Sequence, residues 1–380
     1  MKTSTLLLVG YRTKAVLAAK ELGFNIILWD EKKPPRKKRI LFKKIFTLPL
    51  YETKLPKKFA YQLKQEKINL VSGVTEKSVI PSVFARQALQ LPGTPLKVAN
   101  RCRNKIVMKT FAAKKNIKVT PFMALRKNTN IKTLERKLSY PIVLKYKDRS
   151  GRRGLLIARN KKKLRVMMHK RDLAERLITG KEFSIESLIY NGKIIFKNIT
   201  EYYDLYTINI VPAGLAPKQH KLINKLNEDI IKKFKIKQGM THLECYLTKE
   251  GFIFGEIALR PPGGYLMDLI KIAYHFDPWL ALLSIESGKP LTPPQKAKNA
   301  AASWLLHPGS GKIKTIQGVK EIKKIKEISA FKIKMKEGDI IQKRKGTSDE
   351  YGHFFIKALN RKKILNTIKT IKHKFHIVKE

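Results

Sequence analysis

Thr241-His-Leu-Glu-Cys-Tyr-Leu-Thr-Lys-Glu-Gly-Phe-Ile-Phe-Gly-Glu-Ile-Ala-Leu-Arg-Pro-Pro-Gly-Gly264 reads as two apolar strands, Thr241 to Leu247 and Phe252 to Leu259, around a tight turn at Lys249, Glu250 and Gly251. Glu244 and Glu256 lie twelve residues apart, so a hairpin sets them side by side in half-buried strands. Two unpaired carboxylates ~4 Å apart repel by about 4 kcal/mol at an effective dielectric near 20, so a cation is expected between them. An all-oxygen pair suits magnesium, above all magnesium shared with phosphates; a plain cross-strand pair is the alternative. Directly downstream, Arg260 offers a guanidinium, Pro261 and Pro262 stiffen the chain, and Gly263 and Gly264 lead into a helix. Backbone N–H groups there, with Arg260, make a cradle for a carboxylate or an acyl phosphate, where the bland alternative is a simple turn.

Working upstream, Tyr140 to Lys145 is a buried-type strand that ends in a lysine and runs into the basic glycine loop Lys147-Asp-Arg-Ser150-Gly151-Arg-Arg-Gly154. That combination suits phosphate capture, although many surface turns share its composition. GxxxxGK[ST] is absent, so the loop is not a P-loop. Further on, Glu175-Arg176-Leu177-Ile178 precedes a glycine turn and an alternating strand carrying Glu182 and Glu186. An extended segment can present backbone groups to an adenine edge, and Glu182 can accept from ribose hydroxyls; singly, such glutamates are more often surface charges.

Around these motifs the chain reads as α/β. Thr5 to Gly10, a helix to Leu22 and Asn25 to Asp30 form a βαβ opening, followed by a strand at Asn69 to Gly73 and a helix at Glu76 to Leu89. Gly10 stands in Gly-Tyr-Arg-Thr-Lys without GxGxxG spacing, which argues against dinucleotide binding. Helices are expected at Ile106 to Lys115, Ile131 to Leu138 and Lys161 to Lys170, and strands at Val119 to Met123, Ile142 to Tyr146, Leu155 to Ala158 and between Arg176 and Val211. Lys218 to Phe234 places Leu222, Ile223, Leu226, Ile230, Ile231 and Phe234 on one helical face. Helices at Met267 to Tyr274 and Pro278 to Ser287 and a Pro-rich connector lead to a basic α+β tail. Three units are expected: 1–101, an open parallel-sheet lobe; 102–290, with a mobile part at about 118–180; and 298–380.

The charge is +52, from 81 Lys and Arg against 29 Asp and Glu, with 43% hydrophobic and 9% aromatic residues. Basic residues are spread through nearly every segment, which favours a general lysine bias over a nucleic-acid partner. Cys102 and Cys245 form no CxxC or Cys/His pattern and are expected to be reduced. With no apolar run near the ~20 residues a membrane helix needs, a cytoplasmic chain is expected.

In their order, the motifs from Arg101 to Pro290 resemble the ATP-grasp superfamily of carboxylate–amine ligases. The resemblance implies a two-lobed nucleotide core, and ATP and magnesium as cofactors, with manganese as an alternative metal. It further implies Lys105 and Lys145 as phosphate-binding lysines and Ser150, Gly151 and Gly154 in a mobile loop over ATP. Glu175, Arg176, Leu177 and Ile178 become the adenine hinge and Glu182 the ribose ligand. Glu244 and Glu256 become the metal ligands, and Arg260, Gly263 and Gly264 the acyl-phosphate pocket. Departures are Ala258, where an asparagine helps hold a second magnesium, so one or two ions are allowed; Asn104 in place of aspartate before Lys105; and Arg152 and Arg153 in the loop. His242, two residues before Glu244, is open between orienting a ligand and ordinary packing. The implied reaction converts a carboxylate to an acyl phosphate that an amine attacks, with small-molecule acid and amine partners, amino acids foremost, and a homodimer allowed. The rivals are other ATP-grasp chemistry, such as bicarbonate activation or protein-terminus modification, and a non-catalytic nucleotide or polyanion binder.

Overall fold

In the computed structural model, residues 4–205, 207–347 and 349–380 are described. The opening lobe is a parallel sheet in the order Lys44–Thr47, Asn25–Asp30, Thr5–Val9, Leu70–Gly73. Its two central strands carry the uninterrupted apolar runs Leu6 to Val9 and Ile26 to Trp29 because both faces are covered there. Leu6, Leu8, Ile26 and Leu28 meet the helices Thr13–Glu21 and Pro278–Glu286, while Leu7, Val9, Ile27 and Trp29 meet Phe59 and Leu63 of Lys57–Gln65. The helix expected from Glu76 begins as a 3-10 turn, Glu76–Ser78, and continues as Val79–Ala88.

An eight-stranded antiparallel sheet forms the spine. Its order is Gly251–Ala258, Gly239–Thr248, Lys181–Tyr190, Lys193–Asp204, Ile208–Val211, Ala300–Leu305, Gly352–Ala358, Ile328–Ile333. The basic C-terminal segment is thus hydrogen-bonded into the same sheet as the carboxylate hairpin, through Ile208–Val211 against Ala300–Leu305. The helices Lys105–Lys114 and Pro217–Phe234 bury their apolar sides against one face of this sheet near the hairpin. Leu222 departs from the face expected of it and is 44% exposed. Adjacent residues on a helix lie 100° apart, and the buried stripe follows Ile223, Asn227, Ile230, Ile231 and Phe234. Asn227 belongs to that stripe because its amide donates to Ser187 Oγ at 2.9 Å.

A small antiparallel sheet, Phe122–Ala124, Leu173–Arg176, Ile142–Lys145, Leu156–Ala158, carries the helices Ile131–Leu138 and Lys161–Met167 on one face. The strand expected from Val119 starts only at Phe122, because Pro121 has no N–H to give to a ladder. Val119 makes an isolated bridge to Phe254 instead. The helix expected to Lys170 closes as a 3-10 turn, Met168–Lys170. No helix among the described residues is long and apolar enough to cross a membrane.

Candidate active site

The hairpin has a two-residue loop, with Thr248 opposite Gly251, and its regular register would put Glu244 against Gly255. A bulge between Glu244 and Cys245 takes up Gly255 as the extra residue, so Glu244 stands directly opposite Glu256. A Cβ on Gly255 would lie 3.0 Å from the Glu244 carbonyl and 3.0 Å from the Tyr246 ring. Both carboxylates keep 24% of their side-chain surface exposed, toward the cleft under the small sheet's glycine loop.

Lys105 Nζ lies 3.2 Å from Glu256 Oε2 and donates to the Arg149 carbonyl at 2.8 Å. It is placed by the start of its helix, where Asn104 Oδ1 accepts from the N–H groups of Ile106 and Val107 at 3.0 and 3.3 Å. Asparagine caps a helix as well as aspartate, so position 104 keeps its structural task without a charge. On the other side of the pair, His242 Nε2 is 3.2 Å from Glu244 Oε1 and Nδ1 is 2.9 Å from Glu186 Oε1. Glu186 is fully buried and accepts from Ser184, Asn198 and Thr200 at 2.7 to 2.8 Å. Burial opposes charge on His242, but its hydrogen bonds to the carboxylates of Glu186 and Glu244 win and raise it to about 9. Burial likewise opposes ionisation of Glu244, and the His242 bond and charge outweigh it and hold Glu244 down at about 2. His242 is therefore an imidazolium clamped between two carboxylates, a placement the sequence left open.

Lys145, at the end of its strand, donates to Glu175 Oε2 at 2.8 Å. Lys109, which the sequence reading passed over, approaches Glu175 Oε1 at 3.3 Å and is 1% exposed. It sits one helical turn after Lys105, a spacing that was its only signal among 81 basic residues. Despite burial, the two ammonium groups hold Glu175 down at about 2. Burial lowers Lys109, aided by the charge of Lys145, whereas Lys145 stays raised because Glu175, Glu256 and Glu244 together overcome burial. Glu175 thus anchors lysines, and its side chain does not face the cleft. The following hinge is tied down by its backbone: Arg176 N–H donates to the Pro121 carbonyl at 3.0 Å and Leu177 N–H to the Pro141 carbonyl at 3.1 Å. Arg176 Nε also donates to the Leu138 carbonyl, so its guanidinium points away along the small sheet. Ile178 is half-buried beyond them. At Gly180 a Cβ would meet the Leu247 carbonyl at 2.6 Å, which is how closely the turn approaches the hairpin strand.

The glycine loop is braced by Tyr146, whose ring lies under the guanidinium groups of Arg149 at 3.9 Å and Arg171 at 4.2 Å. Arg171 Nε donates to the Gly154 carbonyl at 2.5 Å, and a Cβ on Gly154 would strike the Tyr146 ring at 2.7 Å. Gly151, at φ +64°, accepts from Thr347 N–H at 3.2 Å, bringing the C-terminal segment onto the loop. The Ser150 carbonyl accepts from Arg153 N–H within the same turn. From the loop Arg152 pairs with Glu182. Glu182 is nonetheless raised to about 7, by burial first and then by the charge of Glu244.

Arg260 is 9% exposed; its Nε donates to Glu76 Oε2 at 2.6 Å and its Nη1 to the Pro261 carbonyl at 2.8 Å. Glu76 also lies 3.5 Å from Arg103, which bonds Glu52 at 3.0 Å and the Asp148 carbonyl. Burial pushes Glu76 up, but Arg260, Lys105 and Arg103 hold it below the usual carboxylate range. Gly263 has open space where a Cβ would stand, and Gly264 turns the chain at φ +61° into the helix Leu266–Tyr274. Arg12, from the first loop of the parallel sheet, reaches this turn and donates to the Pro262 carbonyl at 3.4 Å. Neither Glu76 nor Arg12 was among the residues expected from sequence. Their contacts span 184 and 250 positions, and no local pattern marks them.

Among the described residues no cluster of three or more His, Cys, Asp or Glu forms a metal cage. Glu244 and Glu256 offer carboxylate oxygens alone beside open cleft, a donor set that fits a magnesium ion completing its shell with phosphate and water.

Comparison with known proteins finds the same order of parts. Residues 110–269 match the ATP-grasp domain family, and residues 303–380 match L-amino acid ligase C-terminal domain 2. The L-arginine-specific L-amino acid ligase of Bacillus subtilis is 24% identical over 346 residues, covering 83% of this chain and 81% of that protein. Among solved structures, L-amino acid ligase from Bacillus licheniformis superposes with a TM-score of 0.82 at 20% identity, and N5-carboxyaminoimidazole ribonucleotide synthetase from Thermotoga maritima with 0.76 at 17%, both over 100% of each chain. At those identities the superpositions speak for the fold.

Proposed function

The chain belongs to the ATP-grasp superfamily and is an ATP-dependent carbon–nitrogen ligase, and from that premise we propose that it joins two small amino acids into a dipeptide. The observation that carries this reading is the facing pair Glu244 and Glu256, with Lys105 on one flank and Arg260 four residues downstream. Lys105 and Lys145 bind the phosphates of ATP, the hinge Glu175 to Ile178 borders the adenine, and Glu182 takes the ribose hydroxyls, exchanging its contact with Arg152. Glu244 and Glu256 are the residues that would hold magnesium. When bound, that ion neutralises phosphate charge and polarises the transferred phosphoryl group.

An oxygen of the acid's carboxylate attacks the γ-phosphorus, the bond to ADP breaks, and an acyl phosphate forms. The unprotonated amine then attacks the acyl carbon, phosphate leaves with one oxygen of the original carboxylate, and the nitrogen loses a proton. Arg260 and the N–H groups at Gly263 and Gly264 stabilise the oxyanion of the tetrahedral stage, where preorganised donors count most. No side-chain nucleophile takes part. Lysines held by Glu175, and a carboxylate held by His242, need little rearrangement as charge moves.

The test is ADP release with pairs of L-amino acids, with the dipeptide identified by mass. Release is expected to require both amino acids, and Glu256→Ala is expected to lower magnesium-dependent turnover at least about 100-fold while the circular dichroism spectrum is unchanged. Full activity in Glu256→Ala removes the metal assignment. Absence of ADP with every pair, alongside tight nucleic-acid binding with a steep salt slope, removes the ligase.

A further inference from the structure

Arg260 is neutralised by Glu76, yet a second guanidinium stands at the same turn. Arg12 comes from the loop after Thr5–Val9, and that loop is fixed. Tyr11 N–H donates to Asp30 Oδ2 at 2.7 Å, and Gly10, at φ +80°, lies so close to Thr75 that a Cβ would sit 2.6 Å from its hydroxyl. The two loops of the parallel sheet that carry Arg12 and Glu76 are therefore locked together and face the Pro261–Gly264 turn from the same side. Arg12 Nη1 donates to the Pro262 carbonyl at 3.4 Å, and among the described residues Arg12 forms no ion pair with a carboxylate. Burial, then the like charge of Arg260, pulls its guanidinium down to about 10. Planar, bidentate recognition of a carboxylate is what a guanidinium does best. A half-buried arginine set against another arginine without an acid of its own is a charge left for a ligand.

We propose that Arg12 binds the free carboxylate of the amine substrate, and so restricts that substrate to amino acids. The inference rests on the ligase reading and deepens it. The acid substrate loses its negative charge when its carboxylate becomes the acyl group, and Arg260 already covers that centre. The carboxylate of the amine substrate keeps its charge from binding to product, and matches the guanidinium of Arg12. Held there, it sets the neighbouring amine against the acyl carbon above Gly263, where the backbone leaves open space.

The test compares an amino acid with its carboxamide as the amine partner, in the wild type, Arg12→Gln and Arg12→Lys. In the wild type, kcat/KM is expected to fall on the order of 100-fold for the carboxamide, because the site is left with an unpaired charge. Arg12→Gln should raise KM for the amino-acid amine by a similar factor, leave KM for the acid unchanged, and reduce the discrimination to a few-fold; Arg12→Lys should fall between. Wild-type enzyme that uses carboxamide and amino acid equally overturns the proposal, as does Arg12→Gln that still discriminates. Should Arg12→Gln not fold, the wild-type comparison decides alone. Failure of the ligase reading looks different, since no acid–amine pair then releases ADP, and it takes this proposal with it.

Discussion

Glu175 shows how much of this site depends on a single carboxylate. It joins Lys145 on the small sheet to Lys109 on the helix that carries Lys105, so it locks the lysine proposed to face phosphate to the spine. Removing one partner from a buried ionic cluster costs about 3–5 kcal/mol, because the remaining charges stay buried without compensation. Glu175→Gln is therefore expected to lower the urea midpoint by an amount corresponding to that range and to raise KM for ATP. The sign of the pH effect follows from the depressed value. Glu175 ionises in the unfolded chain near 4.5 and in the folded one at about 2, so its contribution is complete above 4.5 and is lost as pH falls toward 2. Wild-type stability, followed by fluorescence across that window, should drop more steeply than that of Glu175→Gln. At this scale the sequence singled out Lys145 by its place at the end of a strand, and Glu244 and Arg260 by their places on and just after the hairpin. It hid Lys109, Glu76 and Arg12, whose importance comes from partners far away in the chain.

The carboxylate hairpin gives the corresponding lesson for elements. Apolar alternation and the Lys249-Glu250-Gly251 turn fixed both strands to within two residues, and the helices Ile131–Leu138 and Lys105–Lys114 were legible from periodicity in the same way. The facing of Glu244 and Glu256, however, depends on the bulge at Gly255. In an unbroken ladder Glu256 would oppose Leu243, and the two acids would lie on opposite faces of the sheet. Spacing alone cannot reveal an extra residue; glycine beside a functional acid is the only hint. Gly255→Val puts new atoms against the Glu244 carbonyl and the Tyr246 ring, an overpacking that costs about 1–3 kcal/mol. The variant is expected to fold and to need at least about tenfold more magnesium for half-maximal turnover, as a magnesium titration of ADP release would record. An unchanged magnesium dependence would mean that the bulge does not aim Glu256.

Across the whole molecule, the site forms where three sets of loops converge: those of the parallel sheet with Arg12 and Glu76, the glycine loop of the small sheet, and the end of the long sheet with the hairpin. The C-terminal segment adds Thr347 against Gly151 and Glu350 against the Tyr265 hydroxyl at 3.0 Å. Composition alone pointed toward polyanions, since the net charge is +52. The described carboxylates of the site are each met by cations, so the local balance in the cleft is far finer than the global one. The motif order conveyed the class of fold and suggested residues for a nucleotide; the proposed amine side was not legible, because it is assembled from the first loop of one sheet and the last turn of another. The central claim is that a carboxylate passes through an acyl phosphate on this cleft. Acid labelled with oxygen-18 in its carboxylate tests it directly: the account predicts one labelled oxygen in the released phosphate for each amide formed, and amide formation with unlabelled phosphate would contradict it.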